Sequence, residues 1–305
     1  MSLKTIKGKI RGIDKTHKVT KAMEAVSAVK MRKSQERALS GRPYASVALS
    51  ILMRVGGSLE ALKHPLATRR DIQKLCIVVI TSDKGLAGNL NSAVIKGTER
   101  YIRESGLEKD ALSIMALGRK GRDYFTKRGY HMIENTLSMN DDLPPSVFSE
   151  LTEQIANTFT AGLNDRVVMV YNQFRSTFEQ NVVVHQLLPL SIADIKDVIS
   201  GITPEHGKYA ENYKEQEKQE LYTIEPDTET VLNTLLPFLL QIELYHSLLE
   251  AKASEHSARM VAMKNASDKA RDLSKELTRS LNKARQAQIT CEISEIIGGI
   301  EAMKV

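Results

Sequence analysis

The 305 residues include only two cysteines, Cys76 and Cys291. They have no metal-ligand spacing, and Cys76 falls in an apolar run that reads as a core strand, so a disulfide scaffold is excluded and a reducing compartment fits. No apolar run is long enough to span a bilayer. The run ending at Ile80 is too short, and Val231 to Leu240 is interrupted by Asn233, Thr234 and Pro237. Lysines interrupt the first apolar positions every few residues, so no secretory leader is expected. The seven histidines are scattered, with no HExxH and no cysteine companion. His246 and His256 read as half-buried packing residues, and a metal between them would have only Glu24 as a facing carboxylate. With no triad or paired carboxylates in the middle of the chain, the expectation is no catalytic residues, no metal and no cofactor.

Helix breakers are scarce in the last quarter. From Thr228 to Gly298 there is one proline, Pro237, and no glycine before Gly298, with Asp227 placed to cap the start and Gly298-Gly299 to end it. Apolar or small residues recur at spacings of three and four from Leu235 through Leu249, Met263, Ser267, Ala270, Ser274 and Leu281 to Ala284, the repeat of a left-handed supercoil. A continuous helix here is roughly 100 Å long, too long to be buried in one domain of this size. The N-terminal stretch matches it, with Ile6, Ile10, Ile13, His17, Thr20, Glu24, Ser27, Met31, Ser34, Ala38 and Ala48 on one stripe and a weak point at Gly41 to Pro43. The two helices read as antiparallel partners, because the chain makes a domain between them and returns. The C-terminal helix is the longer. Its end past Leu281 is predicted to project as a lone helix that still carries Ile289, Ile293, Ile296 and Ile297, so it needs a socket in another protein.

Between the helices, Gly56-Gly57 breaks the pattern and His64-Pro65 closes a connection. Buried strands are predicted at Leu75 to Ile80, Leu112 to Leu117 and Val167 to Phe174, a weaker one at His131 to Leu137, and an edge or hairpin partner at Glu179 to Leu188. Helices are expected at Ser92 to Arg103, after Gly121 to about Arg128, and from Pro145 to Phe159. The alternation predicts a Rossmann-like three-layer α/β domain. The chain thus divides into an N-terminal coiled-coil helix (1–57), an α/β foot (70–200), an acidic surface segment (201–227) and a C-terminal coiled-coil helix (228–305). The loop Asp83-Lys-Gly-Leu-Ala-Gly88 follows a strand and precedes a helix, where backbone amides can cradle phosphate. It fits neither the dinucleotide fingerprint nor the Walker pattern, and Gly118-Arg-Lys-Gly121 reads in the same way as a packing turn.

Charge is uneven. Residues 1–44 carry twelve Lys or Arg against three acids, whereas residues 205–229 carry eight acids against three lysines. A basic helix suits nucleic acid, a membrane surface or an acidic protein groove. No aromatic residue interleaves with the basic ones before Tyr44 and no recognition module accompanies them, so nucleic acid is not expected.

Several long motifs in order resemble the gamma subunit of F-type ATP synthase over nearly the whole chain. They are Ile6-Lys-Gly-Lys-Ile-Arg-Gly-Ile13, Thr20-Lys-Ala-Met-Glu-Ala-Val26, Lys30-Met-Arg-Lys33, Thr81-Ser-Asp-Lys-Gly-Leu-Ala-Gly-Asn-Leu-Asn91, Ser257-Ala-Arg-Met-Val-Ala-Met-Lys-Asn-Ala266 and Asn282-Lys-Ala-Arg-Gln-Ala-Gln-Ile-Thr-Cys-Glu-Ile-Ser-Glu-Ile-Ile297. The resemblance implies a non-catalytic rotor shaft, one copy per complex, inside a ring of three alpha and three beta subunits, with its foot beside the epsilon subunit and the c-ring. It also implies a peripheral place on the cytoplasmic face of the bacterial cell membrane, touching the membrane only through the complex. By motif, Arg285, Gln286, Thr290 and Glu292 resemble contacts to the beta subunits, and Ile293, Ile296 and Ile297 belong to the tip that sits in a bearing. Met23, Lys30, Arg32 and Arg259 resemble the part of the shaft near the acidic levers of the beta subunits. The chain departs from the family pattern at Ala87, where Cys is frequent, and at Gly299-Ile300, where Gly-Ala is usual. It also lacks an inserted redox cysteine pair. Without the resemblance, the rival readings are a static coiled-coil scaffold, which self-associates, and an independent nucleotide-dependent enzyme.

Overall fold

The computed structural model of the chain describes residues 3–55, 64–133, 145–191, 225 and 227–302. Its elements are α1 (Leu3–Val55), β1 (Leu75–Ile80), α2 (Leu90–Ser105), β2 (Leu112–Leu117), α3 (Arg119–Lys127), β3 (His131–Met132), α4 (Pro145–Thr160), β4 (Arg166–Phe174), β5 (Gln180–Leu188) and α5 (Thr228–Ala302). They form two compact units, one of Ala28–Ala258 and one of Met1–Ser27 with Arg259–Val305. The two long terminal helices and the α/β sheet agree with the sequence expectation.

In the first unit the sheet order is β3-β2-β1-β4-β5. β1 pairs parallel with β2 and β4, so that Leu75 lies opposite both Leu112 and Arg166, while β5 pairs antiparallel with β4. The continuous run of β1 is required because both faces are covered. Leu75, Ile77 and Val79 meet Val94 and Ile102 of α2 and Phe125 of α3, whereas Cys76, Val78 and Ile80 share a cluster with Phe148, Leu151, Ile155 and Phe159 of α4 and the leucines that begin α5. Truncating a ring such as Phe125 or Phe159, both fully buried, to Ala costs about 3–5 kcal/mol. The fit of α2 against the sheet is close: a Cβ on Gly97 would lie 2.6 Å from the Val182 Cγ1. The strand predicted at His131 to Leu137 is described only over His131–Met132. Residues 134–144, the Gly56-Gly57 break and the acidic segment around 205–220 lie outside the described residues.

Three expectations about the helices are corrected. α1 runs unbroken past Gly41 and Pro43, because one interior proline, at about 3 kcal/mol, is a small term against packing along a 53-residue helix. α5 does not stop at Gly298-Gly299 but continues to Ala302, since glycine costs only about 1 kcal/mol in a helix and terminates one only by turning left-handed. The third concerns His246 and His256, which are buried outright rather than half-buried on a seam. From Glu243 to Ser257 almost every residue of α5 is buried, on all sides of the helix, charged ones included. The start is as expected: Asp227 caps it, accepting from the Thr230 N–H at 2.8 Å and from the Thr230 hydroxyl at 2.9 Å.

Several buried polar groups of α5 are paired with the sheet and its turn, while Glu243 Oε2 and the Ser247 hydroxyl are buried without a hydrogen-bond partner. The Ser254 hydroxyl donates to the Asn172 carbonyl at 2.9 Å and the Ser257 hydroxyl to the Thr177 carbonyl at 2.7 Å. Glu243 bonds His185, and the Tyr171 hydroxyl donates to Glu250 Oε2 at 3.0 Å. Burial nevertheless pushes Glu250 up to about 7, against the opposing pull of the Tyr171 bond and the charges of Arg175 and His185, and it pushes His246 down to about 4.

In the second unit, burial on α1 falls on Ile6, Thr20 and Ser27, with Ile10, Ile13, His17 and Glu24 half-buried, and on α5 on Met263, Ser267 and Ala270, with Ser274, Leu277, Leu281 and Ala284 half-buried. This is the expected seam, residue for residue. It mixes large apolar side chains with small and polar ones, and the Ser274 hydroxyl donates across it to Asp14 Oδ1 at 2.7 Å. Counting antiparallel from that pair sets Leu3, the first residue of α1, opposite the residue that follows Ala284. Among the described residues, burial on α5 thus ends level with the first turn of α1.

Because folded Glu250 keeps its proton to about pH 7 and the unfolded chain releases it near 4.5, its contribution is intact below 4.5 and lost as pH rises to 7. Glu250→Gln, which keeps an acceptor for Tyr171, is expected to gain about 2–3 kcal/mol over the parent at pH 8.5 and much less at pH 5. Urea unfolding of both proteins at the two pH values checks it.

Candidate partner interface

The end of the sheet where a doubly wound fold binds nucleotides is closed in this chain. Order reverses at β1, between β2 and β4, and the crevice outside those strand ends is lined by Ile80, Thr81, Ser82, Leu90 and Asn172. Ala251 and Glu255 of α5 complete its lining, and the space left is about 10 Å³, room for one water. The loop after β1 is committed to structure. Asp83 Oδ1 accepts the Arg119 N–H at 2.8 Å, and Asn91 Oδ1 accepts the Ser82 N–H at 2.9 Å. Leu86 and Gly88 turn it through positive φ. The Gly118 turn is equally fixed: at φ +101 a Cβ would sit 2.1 Å from the Thr81 carbonyl oxygen, and the Gly121 N–H donates to the Thr81 hydroxyl at 2.8 Å. Both glycine turns thus serve strand-to-helix packing. Among the described residues no group of three His, Cys, Asp or Glu could hold a metal ion. Cys76 is buried, with its thiol pushed up to about 12 by burial, and Cys291 is exposed.

The end of α5 has the opposite character. Every described side chain from Arg285 onward is exposed. Ile289, Ile293, Ile296, Ile297 and Ile300 are 45–63% exposed and follow one another at helical spacing, so they share one face. Gln288, Cys291, Ser294 and Glu295 take the other side. Local bonds hold the polar residues on the helix: the Thr290 hydroxyl donates to the Gln286 carbonyl at 3.0 Å, and the Gln288 amide donates to Glu292 Oε1 at 2.9 Å. Sequence reasoning stopped the stripe at Ile297 because Gly298-Gly299 read as a terminus. Helix continuity adds Ile300.

The remaining candidate residues are dispersed. Met23 is half-buried in the second unit, where Lys21 pairs with Glu24 at 3.1 Å. Lys30 is half-buried and Arg32 exposed in the first unit, and Arg259 is buried. Arg285, Gln286, Thr290, Glu292, Ile293, Ile296 and Ile297 are brought together on the tail.

A family model described as ATP synthase matches residues 2–303. The ATP synthase gamma chain of Pelotomaculum thermopropionicum is 40% identical over 303 residues, covering 99% of each chain, and that of Halothermothrix orenii is 40% identical over 304 residues with the same coverage. The chain belongs to the ATP synthase gamma-chain family. Among solved structures, a chain of the Euglena gracilis mitochondrial ATP synthase OSCP/F1/c-ring assembly shares the fold with a TM-score of 0.63 at 21% identity, over 99% of this chain and 94% of that one. A chain of the Tetrahymena thermophila mitochondrial ATP synthase central stalk and c-ring does so with a TM-score of 0.57 at 24% identity, over 82% and 99%.

For this gamma-chain family member, amide exchange should separate the seam from the tail. Residues 260–284 are expected to be protected and residues 285–302 to exchange at least tenfold faster in the isolated chain, as read by peptide-resolved mass spectrometry. Equal protection would mean that the isoleucine face already has cover.

Proposed function

We propose that the chain is the central rotor shaft of an F-type ATP synthase, coupling proton flow through a c-ring to ATP synthesis or hydrolysis at the beta subunits. One observation carries the reading: an isoleucine face that outruns its own helical partner, in a member of the gamma-chain family. Such a face gains by entering an apolar sleeve, about 1.5–3 kcal/mol for each side chain fully buried, before ordering costs. Three alpha and three beta subunits would supply that sleeve, with the epsilon subunit and the c-ring at the foot. The subunit itself makes and breaks no bond, a role that suits a sheet whose nucleotide crevice is filled by its own helix. Its work is differential contact. A shaft whose faces differ stabilises different states of three otherwise equivalent sites as it turns, and only such differences shift a conformational equilibrium.

Arg285, Gln286, Thr290, Glu292, Ile293, Ile296 and Ile297 would meet the ring at the tip, and Met23, Lys30, Arg32 and Arg259 along the shaft. The complex would lie peripherally on the cytoplasmic face of a bacterial membrane. No helix among the described residues is long and apolar enough to cross one.

Two measurements test this. Truncation after Gln288 should leave the α/β unit folded by circular dichroism yet lower retention of the alpha-beta ring in native mass spectrometry at least tenfold, with Ile289→Asp doing part of the same damage. Undiminished retention would sink the bearing role. Joint charge reversal at Lys30, Arg32 and Lys33 should lower protons pumped per ATP hydrolysed in assembled complexes, while any one reversal changes little, since exposed pairs contribute under about 1 kcal/mol each.

A further inference from the structure

The sheet has a second hollow, at the opposite strand ends from the crevice that α5 closes. It lies where the starts of β1 and β4 meet the C-terminal end of α2, and it measures about 380 Å³, the lower end of the range for small-molecule sites. Ile72, Leu75, Tyr101 and Leu107 give it apolar walls, and Glu104, Ser105 and Arg166 give it polar groups.

Those polar groups are not equivalent. Ser105 is committed to its own turn, donating to the Ile102 carbonyl at 2.7 Å and accepting the Leu107 N–H at 3.4 Å. Asp165, beside Arg166 in the chain, accepts the Gln73 and Lys74 N–H groups at 3.0 and 2.8 Å. Arg166 is held at the first position of β4, in register with Leu75, and its Nε is buried without a hydrogen-bond partner. Glu104 is exposed. Among the described residues no ion pair joins Glu104 to Arg166, although both line the same space. A buried N–H of this kind favours whatever brings it an acceptor.

The hollow therefore offers one cation, one anion and an apolar wall. We infer that it is a binding site for a free apolar α-amino acid, with the ligand carboxylate on the Arg166 guanidinium, its ammonium toward Glu104, and its side chain among Ile72, Leu75, Tyr101 and Leu107. An apolar carboxylate without the ammonium meets the charge of Glu104 unpaired, and an amine without the carboxylate meets that of Arg166. The zwitterion alone satisfies both. The inference stands independently of the rotor reading.

Saturation-transfer NMR on the full chain tests it with three probes: L-phenylalanine, hydrocinnamate, which lacks the ammonium, and phenethylamine, which lacks the carboxylate. L-phenylalanine is expected to bind about tenfold or more tightly than either analogue. Glu104→Gln changes an exposed side chain and should leave the fold intact. It should weaken L-phenylalanine about tenfold while leaving hydrocinnamate no weaker than before, and Arg166→Lys should weaken both carboxylates. No transfer from any probe at about 10 mM means that water alone fills the hollow and overturns the proposal. So does hydrocinnamate binding as well as L-phenylalanine, or L-phenylalanine binding unchanged in Glu104→Gln.

Discussion

The structure depends on the burial of α5 between Glu243 and Ser257 within the α/β unit. A helix buried on all sides normally carries apolar residues all round, because each unpaired polar group taken from water costs free energy. This one instead carries Glu243, His246, Glu250, Lys252, Glu255 and His256. Partners on the sheet and along the helix make it tolerable. Tyr171 and His185 meet Glu250 and Glu243, backbone carbonyls of Asn172 and Thr177 accept from Ser254 and Ser257, and Lys252 lies 3.5 Å from Glu255. Such bonds fix the helix to one register on the sheet, since a shift by one residue would leave several charges unmet. An apolar interface could slide at less cost.

The same burial explains why, among the described residues, the crevice at the strand ends of this α/β unit is too small for a nucleotide. Ala251 and Glu255 stand at the strand ends where a doubly wound sheet would open, and the loop after β1 spends its polar side chains on Arg119 and Ser82. A fold shared with enzymes here serves as a clamp on a helix, and the chemistry of the site, rather than the fold, carries the function. The seam of the second unit is of another kind: Thr20, Ser267, Ala270 and Ser274 permit close approach between apolar contacts such as Ile6 and Met263, and past Ala284 every described side chain is exposed. Hydrogen bonding of α5 to the sheet in one unit and an exposed isoleucine face in the other are the two features on which the proposed shaft role rests.

Much of this was legible in local spacing. The three-and-four repeat from Ile6 to Ala38 marked the seam of α1, Asp227 announced the start of α5, and the continuous run from Leu75 to Ile80 required a sheet covered on both faces, because each signal depends only on near neighbours. The motifs that carried the family resemblance were equally local. Less legible were the ends and breaks. Pro43 and the Gly298-Gly299 pair read as interruptions because propensity is summed residue by residue, whereas a long helix absorbs them.

The sequence by itself determined the two long helices, the α/β sheet covered on both faces, the family, and a tail whose isoleucines have no use for water. Tertiary structure alone decided that the seam of α5 becomes a fully buried helix at Glu243, that burial pushes His246 toward its neutral form, that Gly118 must lack a Cβ against Thr81, and that Arg166 and Glu104 share one hollow. The physical reason is the same in each case. Burial and pairing are properties of which distant segments meet, and Tyr171 lies 79 residues from Glu250 in a chain whose periodicity reaches only the next turn.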